Sequence, residues 1–268
     1  MKALVHVNPD LASSIALRYA CRLAGLGGFE VQPIHVQQPD ETGTPPPGSG
    51  WARKSWEKAL ADAGRAEIAQ LINAERDSCP AMAEPRLRVG EREEELLAEL
   101  ASGSYALFIE GAGYDLTPAQ LHSRLRSRLY RGCGCPVVIV RSLPRIERIC
   151  LALAAKAIPE RLVEALMSVL GGAQVDVDVL YCKFPSQLVG PTLSYDPSQA
   201  LSSASRALEA RGLKPQKLDV LEAEPEEAAR ALGDYGLVVA SAVGHKRTSP
   251  VIRLLAELVA PTMVLVGG

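Results

Sequence analysis

The residues able to do chemistry are few and scattered. Cys133-Gly134-Cys135 sets two thiols one residue apart. That is too close for an ordinary Cys-x2-Cys zinc knuckle, and no second pair stands at metal spacing. Structural thiols are the reading. His6 and His35 fall near the ends of two apolar runs. If those runs are adjacent strands, the imidazoles could meet in a cleft and bind a metal or sense pH; coincidence is the simpler reading. Gly244-His245-Lys246-Arg247 precedes a helical pattern. Such a turn can bind an anion, and a plain basic surface turn is the simpler alternative. Glu91-Arg92-Glu93-Glu94-Glu95 reads as an acidic helix start, which suits the helix dipole. Gln120, Ser123, Arg124 and Arg128 give a later helix a basic, polar face. Trp51 and Trp56 follow a Pro-rich stretch and could form a lid or a partner contact, although helix packing explains them more simply. The sequence holds no nucleophile elbow with a Ser/His/Asp triad, no Walker lysine and no dinucleotide fingerprint. Catalysis is therefore not expected.

These residues are carried by short apolar runs that alternate with longer amphipathic stretches. The spacing predicts strands at Ala3–Val7, Phe29–Val36, Arg86–Val89, Tyr105–Ile109 and Pro136–Arg141. Helices are predicted at Leu11–Ala24, Trp51–Glu75, Glu91–Leu100 and, unbroken, Pro118–Arg131. Pro39–Gly50 is a loop by composition. The same order then recurs. Strands are expected at Arg148–Leu153, Val175–Tyr181, Lys217–Leu221, Leu237–Ala240 and Met263–Val266. Helices are expected at Pro159–Leu170, Ser198–Arg211, Pro225–Leu232 and Val251–Leu258, with an irregular stretch over Lys183–Pro197. The repeat is visible in letters: LRVGEREEELLAEL parallels LDVLEAEPEEAARAL, YALFIEGAG parallels YGLVVASAVG, and CGCPVVIVR parallels APTMVLVGG. A period this long means a duplicated domain rather than a solenoid. The border falls near Ser142-Leu143-Pro144, which gives domains over 1–143 and 144–268. Alternating strands and helices imply an α/β fold, a parallel sheet covered on both faces with right-handed crossovers.

Composition agrees. Apolar residues are 47% of the chain and aromatics only 4%, so the core must be aliphatic. The formal net charge of −2 favours neither nucleic acid nor anionic lipid as a general partner. No apolar run is long enough to span a bilayer, and the N-terminal run is too short for a signal peptide. A cytoplasmic protein is expected, and its six cysteines are expected to be thiols rather than disulfides.

Three features together carry a resemblance. A short first strand runs through a polar turn into an Ala/Leu-rich helix. A later strand meets a Gly-rich turn, Glu110-Gly111-Ala112-Gly113. A helix then leads through SRLRSRLYRGCGCPVVIV (Ser123 to Val140) into the last strand. The arrangement resembles the universal stress protein family, where that last segment typically reads like GSVAERVLRHAPCPVLVV. The resemblance covers the chain twice, and the second copy is the more diverged. It implies two tandem five-stranded parallel-sheet domains, Rossmann-like and of the adenine nucleotide alpha hydrolase type. The two should pair as an intrachain pseudo-dimer through their last strands, since PVVIV and TMVLV are apolar edges that need cover.

Nucleotide-binding members of the family hold ATP at the carboxyl ends of the strands, where open α/β sheets bind ligands. Their phosphate motif is Gly-x2-Gly-x9-Gly-[Ser/Thr], and an Asp follows the first strand. Glycines let backbone amides approach the phosphates. Here the motif positions are Glu110, Gly113, Ser123 and Arg124, and the Asp position is Asn8. In the second copy the Asp position is Ala154 and the loop after Ala240 is shortened. A carboxylate at Glu110 should repel a triphosphate unless a metal or Arg124 intervenes. Arg124 could be a phosphate ligand, although a solvated arginine on the helix surface is the simpler reading. Should any nucleotide bind, the resemblance points to Asn8, Val36, Gly111, Gly113, Ser123 and Arg124.

The leading expectation is a stress-response regulatory protein that acts by binding a protein partner or ligand, with no cofactor and no metal. No nucleic-acid partner and no membrane insertion are expected, and homodimerisation is left open. The alternative is an ATP- or AMP-binding protein with weak ATPase activity at a non-consensus site in the first copy. A third reading is a ligand or metal sensor at His6 and His35.

Overall fold

The computed structural model describes residues 1–39, 50–185 and 196–266. The first copy supplies β1 (Lys2–His6), α1 (Leu11–Gly27), β2 (Glu30–Gln37), α2 (Trp51–Arg76), β3 (Arg86–Val89), α3 (Arg92–Ser102), β4 (Tyr105–Gly111), α4 (Pro118–Leu125), α5 (Arg128–Gly132) and β5 (Val137–Val140). The second supplies β6 (Arg148–Leu153), α6 (Pro159–Leu170), β7 (Asp176–Lys183), α7 (Pro197–Glu209), β8 (Lys217–Glu222), α8 (Pro225–Ala231), β9 (Leu237–Ser241), α9 (Pro250–Glu257) and β10 (Thr262–Leu265). Residues 40–49 of the expected Pro-rich loop, and 186–195 of the expected irregular stretch, lie outside the described residues.

The ten strands form one sheet in the order β3-β2-β1-β4-β5-β10-β9-β6-β7-β8. Every pairing within a copy is parallel. The copies join by the antiparallel pair β5 and β10, with Ile139 opposite Thr262, Val138 opposite Met263 and Val137 opposite Val264. The expected pseudo-dimer through the last strands is present, and each apolar edge is the cover of the other.

Helices pack on both faces, and the core on each face runs across the seam. One face unites Leu17, Tyr19 and Leu23 with Leu166 and Val169; the other unites Leu121 and Leu129 with Leu254 and Leu255. Three contacts lock the copies further. Tyr19 donates to the carbonyl of Gly236 at 2.8 Å. Arg141, only 4% exposed, donates to the carbonyls of Ala256, Leu258 and Leu255 and so caps the carboxyl end of α9. Burial lowers its pKa to about 10. Gly27 and Gly171 let the ends of α1 and α6 meet: a Cβ on Gly27 would lie 1.9 Å from the carbonyl oxygen of Val169.

Three expectations are corrected. The helix expected over Pro118–Arg131 is two helices. Ser127 is extended and its hydroxyl accepts from the amide of Tyr130 at 3.3 Å, capping a new start at Arg128. Cys21 and Cys79 are a disulfide, with Cα atoms 5.4 Å apart and a sequence separation of 58. The chain after α2 passes α1 there, and Arg18 pairs with Glu75 beside it. Trp51 is 81% exposed, so packing of α2 does not explain it.

Candidate functional site

At the end of β1 the chain turns into α1 through Val7, Asn8, Pro9 and Asp10. The amide of Asn8 donates to the Ser13 hydroxyl at 2.9 Å, and Asp10 caps α1 by accepting from the amide of Ser13 at 2.7 Å. Beside it β4 ends at Gly111, packed against the first turn of α1. A Cβ on Gly111 would come within 2.3 Å of the Ala12 carbonyl oxygen, so this position has to be glycine. Between these elements lies a polar cleft of about 280 Å³, whose walls include His6, Asn8, Asp10, Arg92, Glu110 and Arg124.

Glu110 dominates the cleft. It is the penultimate residue of β4, not part of a turn, and it is 2% exposed. Arg92, at the start of α3, donates to Oε2 at 2.6 Å. The Tyr130 hydroxyl, from α5, donates to Oε1. Arg124 of α4 brings Nη1 to 3.4 Å from Oε1, an ion-pair distance, yet that nitrogen is buried and makes no hydrogen bond. Burial and the adjacent carboxylate raise the Tyr130 pKa well above its ordinary value, so the hydroxyl stays a donor. Burial, with help from Arg92, pushes His6 down to about 4, so it is neutral at physiological pH. Two guanidiniums thus converge on one buried carboxylate, and the Asp10 carboxylate stands in the same cleft wall.

Of the residues that the resemblance pointed to, the cleft brings together Asn8, Gly111, Gly113 and Arg124. Val36 is buried among core side chains, and Ser123 is exposed on α4; neither lines the cleft. The solvated reading of Arg124 is overturned, because Glu110 holds it. His6 and His35 do not meet in the cleft, in line with the simpler reading of their placement as coincidence. His6 pairs in register with Ile34, so His35, one residue on, faces the other side of the sheet. There it contacts the Val7 carbonyl and Gln37. Among the described residues no three acidic, histidine or cysteine side chains cluster as metal ligands. The sequence reading missed Arg92 and Tyr130. An arginine inside a run of four glutamates was the available signal for the first.

At the strand ends of the second copy a small cavity of about 30 Å³ is lined by Lys156, Ile158, Arg161, Ser241, Val243 and Leu265. Lys156 has a φ of 71° and donates to the Gly244 carbonyl at 3.1 Å, tying the two loops together.

Comparison of the backbone decides the architecture. A universal stress protein from Archaeoglobus fulgidus superposes with a TM-score of 0.66 over 98% of this chain and 97% of its own, at 13% identity. The chain has the fold of the two-copy universal stress proteins. A Pseudomonas aeruginosa protein assigned to the universal stress proteins superposes with a TM-score of 0.57, covering 98% of this chain and 92% of its own at 14% identity. A Pseudomonas aeruginosa protein of unknown function does so equally well, at 16% identity. No protein-family sequence model matches the chain, and no curated protein matches it. The universal stress fold is therefore present here at low sequence identity to these proteins. No helix among the described residues is long and apolar enough to cross a membrane.

Proposed function

We propose that the chain is a diverged universal stress protein, a cytoplasmic stress-response regulator that acts by binding a partner and not by catalysis. In this reading the first-copy nucleotide site has become a structural ion-pair cluster. The observation that carries it is Glu110, which stands at the first phosphate-loop position and is enclosed by Arg92, Arg124 and Tyr130. A triphosphate entering there would meet a buried carboxylate and compete with it for both guanidiniums. ATP binding in the first copy is the alternative, favoured by the unbonded Nη1 of Arg124.

Titration calorimetry with ATP tests this. No micromolar binding from the first copy is expected. Micromolar binding that Arg124→Gln abolishes and Lys246→Ala leaves intact would overturn the proposal.

A further inference from the structure

A second cleft, of about 420 Å³, lies at the seam of the two copies. Its first-copy wall is α4 and α5, and its second-copy wall is the turn between β9 and α9. The charged lining is all of one sign: Arg126 and Arg131 from the first copy, Lys246 and Arg247 from the second. His122 and His245 complete it, and no aspartate or glutamate lines it. Among the described residues none of the four cations lies within ion-pair distance of a carboxylate. Fifteen ion pairs are formed elsewhere among the described residues, so unpaired cations are not the general habit there. Nor is the chain basic, since its net charge is −2. The Nε2 atom of His122 is buried without a hydrogen-bond partner. A buried polar atom without a partner costs free energy.

We infer that this seam cleft is a binding site for a polyphosphate anion, built jointly by the two copies and separate from the Glu110 cleft. Two arginines, a lysine and a third arginine can meet several phosphate oxygens, the arginines through paired N–H donors. A concave wall of one charge sign concentrates counter-ions and raises their on-rate. Four cations suit three or four negative charges better than one, which selects linked phosphates over a single monoanion. Leu125 and Ile252 give the cleft an apolar floor that could carry a base. The phosphates are then either inorganic or the tail of a nucleotide. The turn that carries Lys246 and Arg247 cannot form the site alone, because Arg126 and Arg131 come from the other copy. The site exists only once β5 and β10 have paired.

The probes are inorganic tripolyphosphate, pyrophosphate, orthophosphate, ATP and adenosine, titrated into the full chain by calorimetry at low and moderate salt. Tripolyphosphate should bind one per chain, more tightly than pyrophosphate, with orthophosphate weakest and adenosine silent. Affinity should fall as salt rises. Arg126→Ala and Lys246→Ala should each weaken tripolyphosphate by about tenfold, the worth of one charge-assisted contact. Both residues are exposed, so the variants should keep the melting temperature of the parent. Arg124→Gln should leave tripolyphosphate binding unchanged, which separates this site from the first-copy cleft. ATP binding no tighter than tripolyphosphate assigns the site to the phosphate chain itself, and tighter binding assigns it to a nucleotide. Failure of tripolyphosphate to bind overturns the inference. So does binding that survives the double variant Arg126→Ala/Lys246→Ala.

Discussion

Replacing Glu110 with glutamine keeps the volume and one acceptor oxygen for Tyr130 but removes the charge that holds Arg92 and Arg124. Breaking a fully buried ion pair from one side costs about 3–5 kcal/mol. Here the carboxylate is 2% exposed, while the side chains of Arg92 and Arg124 are 33% and 35% exposed. Water can therefore solvate part of the freed charge, and the loss should be about 2–3 kcal/mol once that is discounted. Urea unfolding followed by circular dichroism measures it. A second consequence separates structural from ligand roles. Arg92 and Arg124 without their Glu110 partner would face the 280 Å³ cleft, with Asp10 the remaining carboxylate in its wall, so the variant should gain affinity for ATP. Measured in an Arg126→Ala/Lys246→Ala background, the gain cannot come from the seam. At 100 times its dissociation constant, ATP would return about 2.7 kcal/mol, close to what the substitution removed. A variant within about 0.5 kcal/mol of the parent would refute the claim that Glu110 anchors this end of the sheet. A destabilised variant that still binds no ATP would show that the cleft lost nucleotide by other means, with Glu110 a bystander.

The disulfide and His6 give two more tests. Cys21–Cys79 closes a loop with a separation of 58, so reduction, or the double change to serine, should lower stability by about 4 kcal/mol in the chain-entropy account. A melting temperature that ignores reductant would contradict the bridge. His6 is held at about 4 by burial and Arg92 against an ordinary 6.5, so the unfolded chain binds a proton that the folded chain refuses. Stability should then fall as pH drops from 6.5 towards 4, by up to about 3 kcal/mol, and level off below. His6→Asn should flatten that slope in urea unfolding at pH 7, 5.5 and 4.5, and an unchanged slope would remove His6 as its source.

The fold was legible because its signals are local and repeated. Apolar runs such as VVIV and TMVL must be buried wherever they fall, and the duplicated order sets their neighbours. What stayed hidden depends on pairs distant in sequence. Cys21 and Cys79 share no motif, and only the passage of the chain after α2 across α1 brings them together. Arg92 read as one residue of a charged helix start, although it reaches Glu110 across the cleft. The break at Ser127 was locally available, because a serine three residues before Tyr130 is a sound cap. The helical apolar period runs through that break and masks it. His6 and His35 show the limit of reading strand ends without register. One residue of offset places them on opposite faces.

The Glu110 cluster is also one of three built on the same plan, which bears on what it is for. Glu99, fully buried on α3, accepts from the Tyr105 hydroxyl at 2.6 Å and from Arg88 at 2.7 Å, with Arg86 beside it. Asp178, 1% exposed on β7, accepts from the Tyr235 hydroxyl at 2.6 Å and from Arg148 at 2.5 Å. Tyr105 and Tyr235 occupy matching places in the repeat, where each precedes or opens the strand beside the first strand of its copy. In these two clusters a tyrosine and an arginine together hold a carboxylate taken out of water, although Oδ1 of Asp178 is left without a hydrogen-bond partner. Neither is among the residues lining the clefts described above. Glu110 with Tyr130 and Arg92 repeats that chemistry at the first of the places where the resemblance puts a glycine. A ligand site would leave its cations open to the ligand, as the seam leaves Arg126 and Lys246. Here the cations are already held, by the arrangement this chain uses elsewhere to close its structure. The difference in pairing, rather than the number of arginines, is what marks the first cleft as structural and the seam as the place for an anion.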